Sequence, residues 1–169
     1  VTAVDLQPNG QGVRQMMITI KREGDEWVPE VDLTPDLVRE CTLEPKEILD
    51  RIKAAGIVGM GGATFPTHVK LSVPPGKKAE FLIINGVECE PYLTSDHRTM
   101  LEKGEELMVG TTILMRALGV KQAQIGIENN KPDAIAFLRE LSKHYEGVRV
   151  TPLKVRYPPV SYTHLTLPT

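Results

Sequence analysis

The segment "GIVGMGGATFPTHVKL", residues 56–71, sets four glycines within seven residues and follows them with a phenylalanine, a proline and a lysine. Glycines this dense let a backbone take positive φ or let another group come into contact with its amides. Gly59, Gly61 and Gly62 are the candidates for such an approach. Lys70 falls one turn into a short helix expected at this point, with Pro66 in its first turn and Thr64 where a cap would sit. A glycine-lined turn that feeds a helix N-terminus offers free N–H groups and the positive end of a dipole, which is chemistry for an anion. A nucleotide phosphate and a flavin edge both suit it. The segment is neither a Walker A loop, which needs Gly-Lys-Ser/Thr, nor the G-x-G-x-x-G fingerprint.

A second stretch, "NGVECEP" at 85–91, places Glu88 and Glu90 two residues apart beside Asn85. The asparagine amide both donates and accepts, so an uncharged heterocycle with mixed polar edges fits, and a carboxylate can accept from ribose hydroxyls or a carboxamide. No nucleophile stands beside a base: Ser72, Ser95 and Ser142 lack any triad pattern. His68 lies inside the glycine segment, within reach of a ligand there. His97 and His144 read as helix-surface residues, and His164 belongs to the C-terminal tail.

Positioning these residues requires a layered frame. "EPKEILDRIKAAG" reads as an amphipathic helix with Ile48, Ile52 and Ala55 on one face and Gly56 as its stop. After the glycine segment come a strand "EFLIIN", a loop "GVECEPYLTSDHR", a helix over 105–118 with Gly119 as its C-cap, a strand "QAQIGIE", a helix over 132–144 and a strand "VRVTPLKV". This alternation predicts an α/β fold, a parallel sheet covered by helices on both faces. Ligands in such sheets lie at the carboxyl ends of the strands, where "INGVECEP" and "IENNKP" fall. Upstream, "VTAVDLQ" and "RQMMITIKRE" flank the turn "PNGQG" and predict a hairpin. Two strands are marginal alone, so residues 1–28 read as the end of a small β domain, joined by a proline-broken linker at 29–43 to an α/β domain at 44–158.

Composition narrows the function. The 169 residues are 41% hydrophobic and 25% charged, and contain no run long enough to span a membrane. A net charge of −2 and a pI near 6.1 leave no basic face for nucleic acid. The two cysteines, Cys41 and Cys89, have no metal-ligand spacing, cannot build a zinc site or a complete iron–sulfur cluster, and read as reduced thiols of a cytoplasmic protein. With no initiator Met and no leader, the chain reads as beginning in mid-protein.

"GMGGATFPTHVKL" followed by "INGVECEPYLTSDHR" closely resembles the C subunit (RnfC) of the Rnf ion-translocating electron transport complex, and more distantly the NADH-binding flavoprotein subunit of respiratory complex I. The resemblance runs from residue 1 to about 158, and rests on Gly59, Gly61, Gly62, Phe65, Pro66 and Lys70 in the first motif and Asn85, Glu88, Glu90 and Pro91 in the second. It implies a Rossmann-like domain with one site for FMN and NADH, preceded by a barrel-sandwich domain of which residues 1–28 are the end. The glycine loop would let the rings stack on bare backbone, Phe65 would pack against the dinucleotide, and Lys70 would offset negative charge. Asn85 with Glu88 would bind the flavin edge, Glu90 would contact the dinucleotide, and Tyr157 would complete the cofactor contacts. It further implies [4Fe-4S] clusters in a part beyond this chain, membrane subunits of the complex as partners, ferredoxin as an indirect one, and a peripheral place on the cytoplasmic face of the bacterial inner membrane.

Met60, Thr64, His68 and Val87 depart from the complex I pattern, and Met60, Val87 and Cys89 resemble the Rnf version. The resemblance leaves two other functions open, a soluble flavin/NADH reductase such as a cobalamin reductase or hydrogenase diaphorase subunit, and a structural or quinone-binding subunit. Retention of Gly59, Gly61, Gly62 and Lys70 argues against the last. After "VRYP" the expected glycine–glutamate turn is replaced by "PVSYTHLTLPT", whose end resembles a translated cloning adapter, so 159–169 read as a non-native tail and the chain alone as inactive.

Overall fold

The computed structural model describes residues 1–155 apart from 30, 32, 35, 61–63 and 89–91. The chain divides into two compact units, Val1–Asp36 and Leu37–Thr169. In the first, β1 (Ala3–Pro8) and β2 (Arg14–Thr19) pair antiparallel with Val4 opposite Ile18 and Leu6 opposite Met16. The predicted turn forms because the Asn9 carboxamide oxygen accepts from the N–H groups of Gln11 (2.9 Å) and Val13 (3.0 Å), while Gly12 takes φ +79°. Val4, Leu6, Met16 and Ile18 share one face and are all exposed, an apolar surface too large for a hairpin to bury by itself.

The second unit opens with α1 (Pro45–Ala54) and the single turn α2 (Thr67–Lys70). A capping box starts α1: the Glu44 N–H donates to the Glu47 carboxylate at 2.9 Å, with Pro45 at the first helical position. Ile48 and Ile52 are buried as expected, whereas Ala55 is the exposed C-cap residue and belongs to no buried face. There follow β3 (Leu82–Gly86), α3 (Ser95–Glu102), α4 (Gly104–Leu118), β4 (Ala123–Glu128), α5 (Pro132–Ser142) and β5 (Val148–Leu153). The three strands form a parallel sheet in the order β3-β4-β5, so the predicted α/β class is what the chain adopts. Several elements differ from expectation: α3 includes residues that read as loop, α4 begins one residue early, α5 ends at Ser142, β1 and β3 are shifted toward the C-terminus, and β2 and β5 end earlier than read.

Register sets the core. Leu82, Ala123, Ile125, Ile127, Val148 and Val150 point one way and pack with Met100, Met108, Met115, Ala134 and Leu138 of the helices. Among the described residues the helical cover lies on that face alone, which corrects the expectation of two covered faces. The opposite face carries Asn85, Gln124, Arg149 and Thr151 beside Ile83, Gly126 and Leu153, with a 3.2 Å hydrogen bond from the Thr151 hydroxyl to the Gln124 amide oxygen. Polar side chains there need solvent or polar partners, not a helix. α1 and α2 instead pack on α4, where Ile48, Ile52 and Leu71 meet Ala117. No helix among the described residues is long and apolar enough to cross a membrane.

Candidate functional site

The glycine segment is a loop pinched at its base. Gly59 N–H donates to the Phe65 carbonyl (2.9 Å) and Thr67 N–H to the Ile57 carbonyl (3.1 Å), with a bridge between Val58 and Pro66. The Lys70 ammonium lies directly over Gly59, so that a Cβ there would push aside the flexible end of the lysine. Lys70 has no ion-pair partner among the described residues, and Phe65 is half exposed. Gly61 and Gly62 lie outside the described residues.

Two local expectations change. Thr64 is not a cap: its φ is +49°, in the left-handed region, and Pro66 takes the N-cap position. The helix that follows is four residues long, too short to align a useful dipole, so attraction for an anion here rests on the Lys70 ammonium and the loop's N–H groups. His68 sits half-buried within that turn.

The second motif occupies the carboxyl end of β3. Asn85 folds its carboxamide oxygen onto the Val87 N–H (3.0 Å), and its amide nitrogen has no partner among the described residues. Glu88 is used by the fold: its side chain is 4% exposed and accepts from the N–H groups of Asp96 (2.7 Å) and His97 (3.3 Å), capping α3 from seven residues upstream of its first residue. Glu90 and Pro91, like Tyr157, lie outside the described residues. No hydrogen bond or ion pair among the described residues joins this loop to the glycine loop.

Around Glu88 the structure assembles a buried charged cluster. Lys131 lies 3.8 Å from the Glu88 carboxylate and 3.4 Å from that of Glu128, which is 1% exposed. The Lys131 ammonium also donates to the Glu88 main-chain carbonyl at 3.4 Å. Asp96, at the start of α3, has its carboxyl pushed up by burial and by the charge of Glu88. His97 is no plain surface residue: it meets Asp133 of α5 at 2.9 Å, and that bond holds the Asp133 carboxyl below its ordinary range. Lys131 and Glu128 belong to the "IENNKP" strand end, and a glutamate closing an apolar strand with a lysine three residues on was the available signal. Among the described residues no three metal-ligating side chains converge.

An open cleft of about 1000 Å³ elsewhere in this unit is lined by Arg39, Cys41, Glu105, Arg116 and Tyr145 among others, and shares no residue with either motif. Its polar groups serve the fold: Arg116 donates to the carbonyls of Leu43 and Thr42, and the Tyr145 hydroxyl to Glu105 at 2.6 Å, a bond that with burial raises the phenol's pKa.

The unit is an α/β domain whose parallel sheet carries an exposed asparagine at the end of β3 and whose glycine loop lies under a lysine without an ionic partner among the described residues. Residues 52–167 match the family described as the Nuo51 FMN-binding domain, and the chain belongs to that family. Among curated proteins it is 49% identical over 144 residues to the C subunit of the proton-translocating ferredoxin:NAD(+) oxidoreductase complex of Clostridium ljungdahlii, covering 83% of this chain and 30% of that one. It is 41% identical over 162 residues to the C subunit of the Na(+)-translocating ferredoxin:NAD(+) oxidoreductase complex of Acetobacterium woodii, covering 94% and 35%. The C subunit of the ion-translocating oxidoreductase complex of Rhodobacter capsulatus is 44% identical over 162 residues, covering 94% and 30%. The chain thus spans about a third of the length of these relatives. Among solved structures, an NAD+-reducing [NiFe]-hydrogenase in the air-oxidized state shares the fold, with a TM-score of 0.53 at 22% identity over 64% of this chain and 20% of that one.

Proposed function

We propose that this chain carries the FMN- and NADH-binding part of an Rnf-type C subunit, within a complex that passes electrons between NAD(H) and ferredoxin and couples this to ion movement. The observation that carries the reading is Lys70 over Gly59: a cation without an ionic partner among the described residues, lying on a backbone kept bare of a side chain. The residues fit the cofactor. Lys70 would neutralise phosphate or reduced-ring charge, bare glycine backbone would let an aromatic ring lie flat, and the Phe65 ring would add a stacking face. The Asn85 amide nitrogen would donate to a ring carbonyl at the end of β3. FMN, when bound, supplies hydride acceptance from nicotinamide and single-electron passage to iron–sulfur centres. Gly61, Gly62, Glu90 and Tyr157 belong to the same proposed contact set, with Glu88 acting through the loop it holds. We place the [4Fe-4S] clusters in parts of the protein beyond this chain, and the protein itself at the cytoplasmic membrane face against the complex's membrane subunits. The named family and the three C-subunit relatives support this assignment.

The test is titration of the full-length protein and its Lys70→Ala variant with FMN and NADH. A charge-assisted contact contributes about 1.5–3 kcal/mol, so affinity for one of the two should fall roughly 10- to 150-fold with unfolding unchanged. Equal affinities would remove Lys70 from the site, and no FMN uptake by the parent would overturn the reading.

A further inference from the structure

The flavin reading gives no task to two of the most deeply buried charged side chains among the described residues. Glu128 and Lys131 are 1% and 9% exposed, and Glu128 has no partner other than Lys131 among the described residues. Buried ion pairs are poor sources of stability, because apolar residues of the same volume often serve as well; what they add is direction. The direction here is specific. The Lys131 ammonium reaches from the β4–α5 connection to the main-chain carbonyl of Glu88, 43 residues earlier, in the loop that leaves β3. Glu128 fixes the ammonium from below, and the Glu88 carboxylate, held by the first N–H groups of α3, flanks it. Two residues beyond Lys131, Asp133 ties the same turn of α3 through His97. The contacts close a ring from Glu88 to α3, to Asp133, to Lys131 and back to Glu88.

We propose that Lys131 is a positioning residue for the FMN site: anchored by Glu128, it fixes the backbone at Glu88 and so the placement of the loop that begins at Asn85 and continues into Glu90. This rests on the flavin reading above. Side-chain capping alone would hold α3; past the end of the β3–β4 ladder at Gly86, the bond to the Glu88 carbonyl is, among the described residues, what ties the loop's main chain to the end of β4.

The test uses the full-length protein with Lys131→Met and with the double change Lys131→Met plus Glu128→Gln. The single variant should lose stability, since Glu128 is left buried without its cation. The double variant should recover most of that loss, because the orphaned charge is gone and Glu88 keeps its two N–H donors. Its FMN dissociation constant should nonetheless stay at least tenfold above the parent's, and the visible circular dichroism of any bound flavin should differ from the parent's. A folded double variant with parental FMN affinity and spectrum would reduce Lys131 to a structural role and overturn the proposal. A parent that takes up no FMN would instead overturn the flavin reading on which it stands.

Discussion

Replacing Glu88 with Gln separates two roles for the most buried member of the second motif. The carboxylate accepts from the N–H groups of Asp96 at 2.7 Å and His97 at 3.3 Å and faces Lys131. An amide of the same shape keeps one acceptor and turns an NH₂ donor toward either an N–H or an ammonium. One charge-assisted bond is lost, at about 1.5–3 kcal/mol, and the negative charge at the α3 N-terminus, which contributes up to about 2 kcal/mol when partly buried, is lost with it. Relief of carboxylate crowding around Lys131 offsets part of this, leaving about 3 kcal/mol. For a unit of this size, between the small- and large-domain ranges, that lowers Tm by roughly 9–18 °C. Thermal unfolding followed by far-ultraviolet circular dichroism measures the total, and amide hydrogen exchange reads the cap directly, with Asp96 and His97 expected to exchange at least tenfold faster. FMN affinity should fall only as far as the loop loosens. If Tm and both amides were unchanged while FMN binding collapsed, Glu88 would face the ligand and the capping role would be refuted.

Three other outcomes follow from the same geometry. Gly119 ends α4 at φ +66°, so Gly119→Ala should cost about 1–2 kcal/mol and leave FMN and NADH titrations untouched; a loss of binding at constant stability would contradict this. Asp96 binds its proton more tightly folded than unfolded, so its ionisation opposes folding, and stability is lost as pH rises from its unfolded to its raised folded pKa. Asp96→Asn should therefore stabilise in urea unfolding at neutral pH and make no difference below the carboxylate range; an equal effect at both would rule out the charge. Asp133, held below its ordinary pKa by His97, contributes stability present above the unfolded value and lost as pH falls, a dependence that His97→Ala should flatten.

Sequence reading succeeds here where the determinant is local. The Asn9 turn, the amphipathic helix that carries Ile48 and Ile52, the left-handed Gly119 and the apolar runs of β3, β4 and β5 each carry their cause within a few residues. It fails where the cause is remote. "SDHRTMLE" has one buried residue, Met100, and no side-chain cap of its own, so it reads as loop; α3 forms because Glu88 arrives from the end of β3. Thr64 is a plausible cap by type, but the loop closes through Gly59 and Phe65 and drives it to positive φ. Two-faced helical cover is a property of complete doubly wound sheets, whereas Gln124 and Thr151 give this sheet a polar face. The candidate residues themselves were legible as motifs, but the division of labour among them was not, because Lys131 reaches the Glu88 carbonyl across 43 residues of chain.

That division follows from which polar atoms are already taken. A carboxylate holding two helix N–H groups beside a buried ammonium cannot turn to a ligand without unmaking the α3 N-terminus, so Glu88 is committed to the frame. Lys131 and Glu128 are committed with it, since releasing either leaves a buried charge unpaired. Among the described residues of the two motifs, the side chains of Thr64, Thr67 and His68 have no hydrogen-bonding or ionic partner, and neither do the two groups best suited to a flavin or nucleotide, the Lys70 ammonium and the Asn85 amide nitrogen. One is a cation over a glycine; the other is a donor on a strand end paired with Gly126 of β4. Binding at either group would break no hydrogen bond or ion pair of the fold among the described residues, so neither carries the cost of unmaking a native contact.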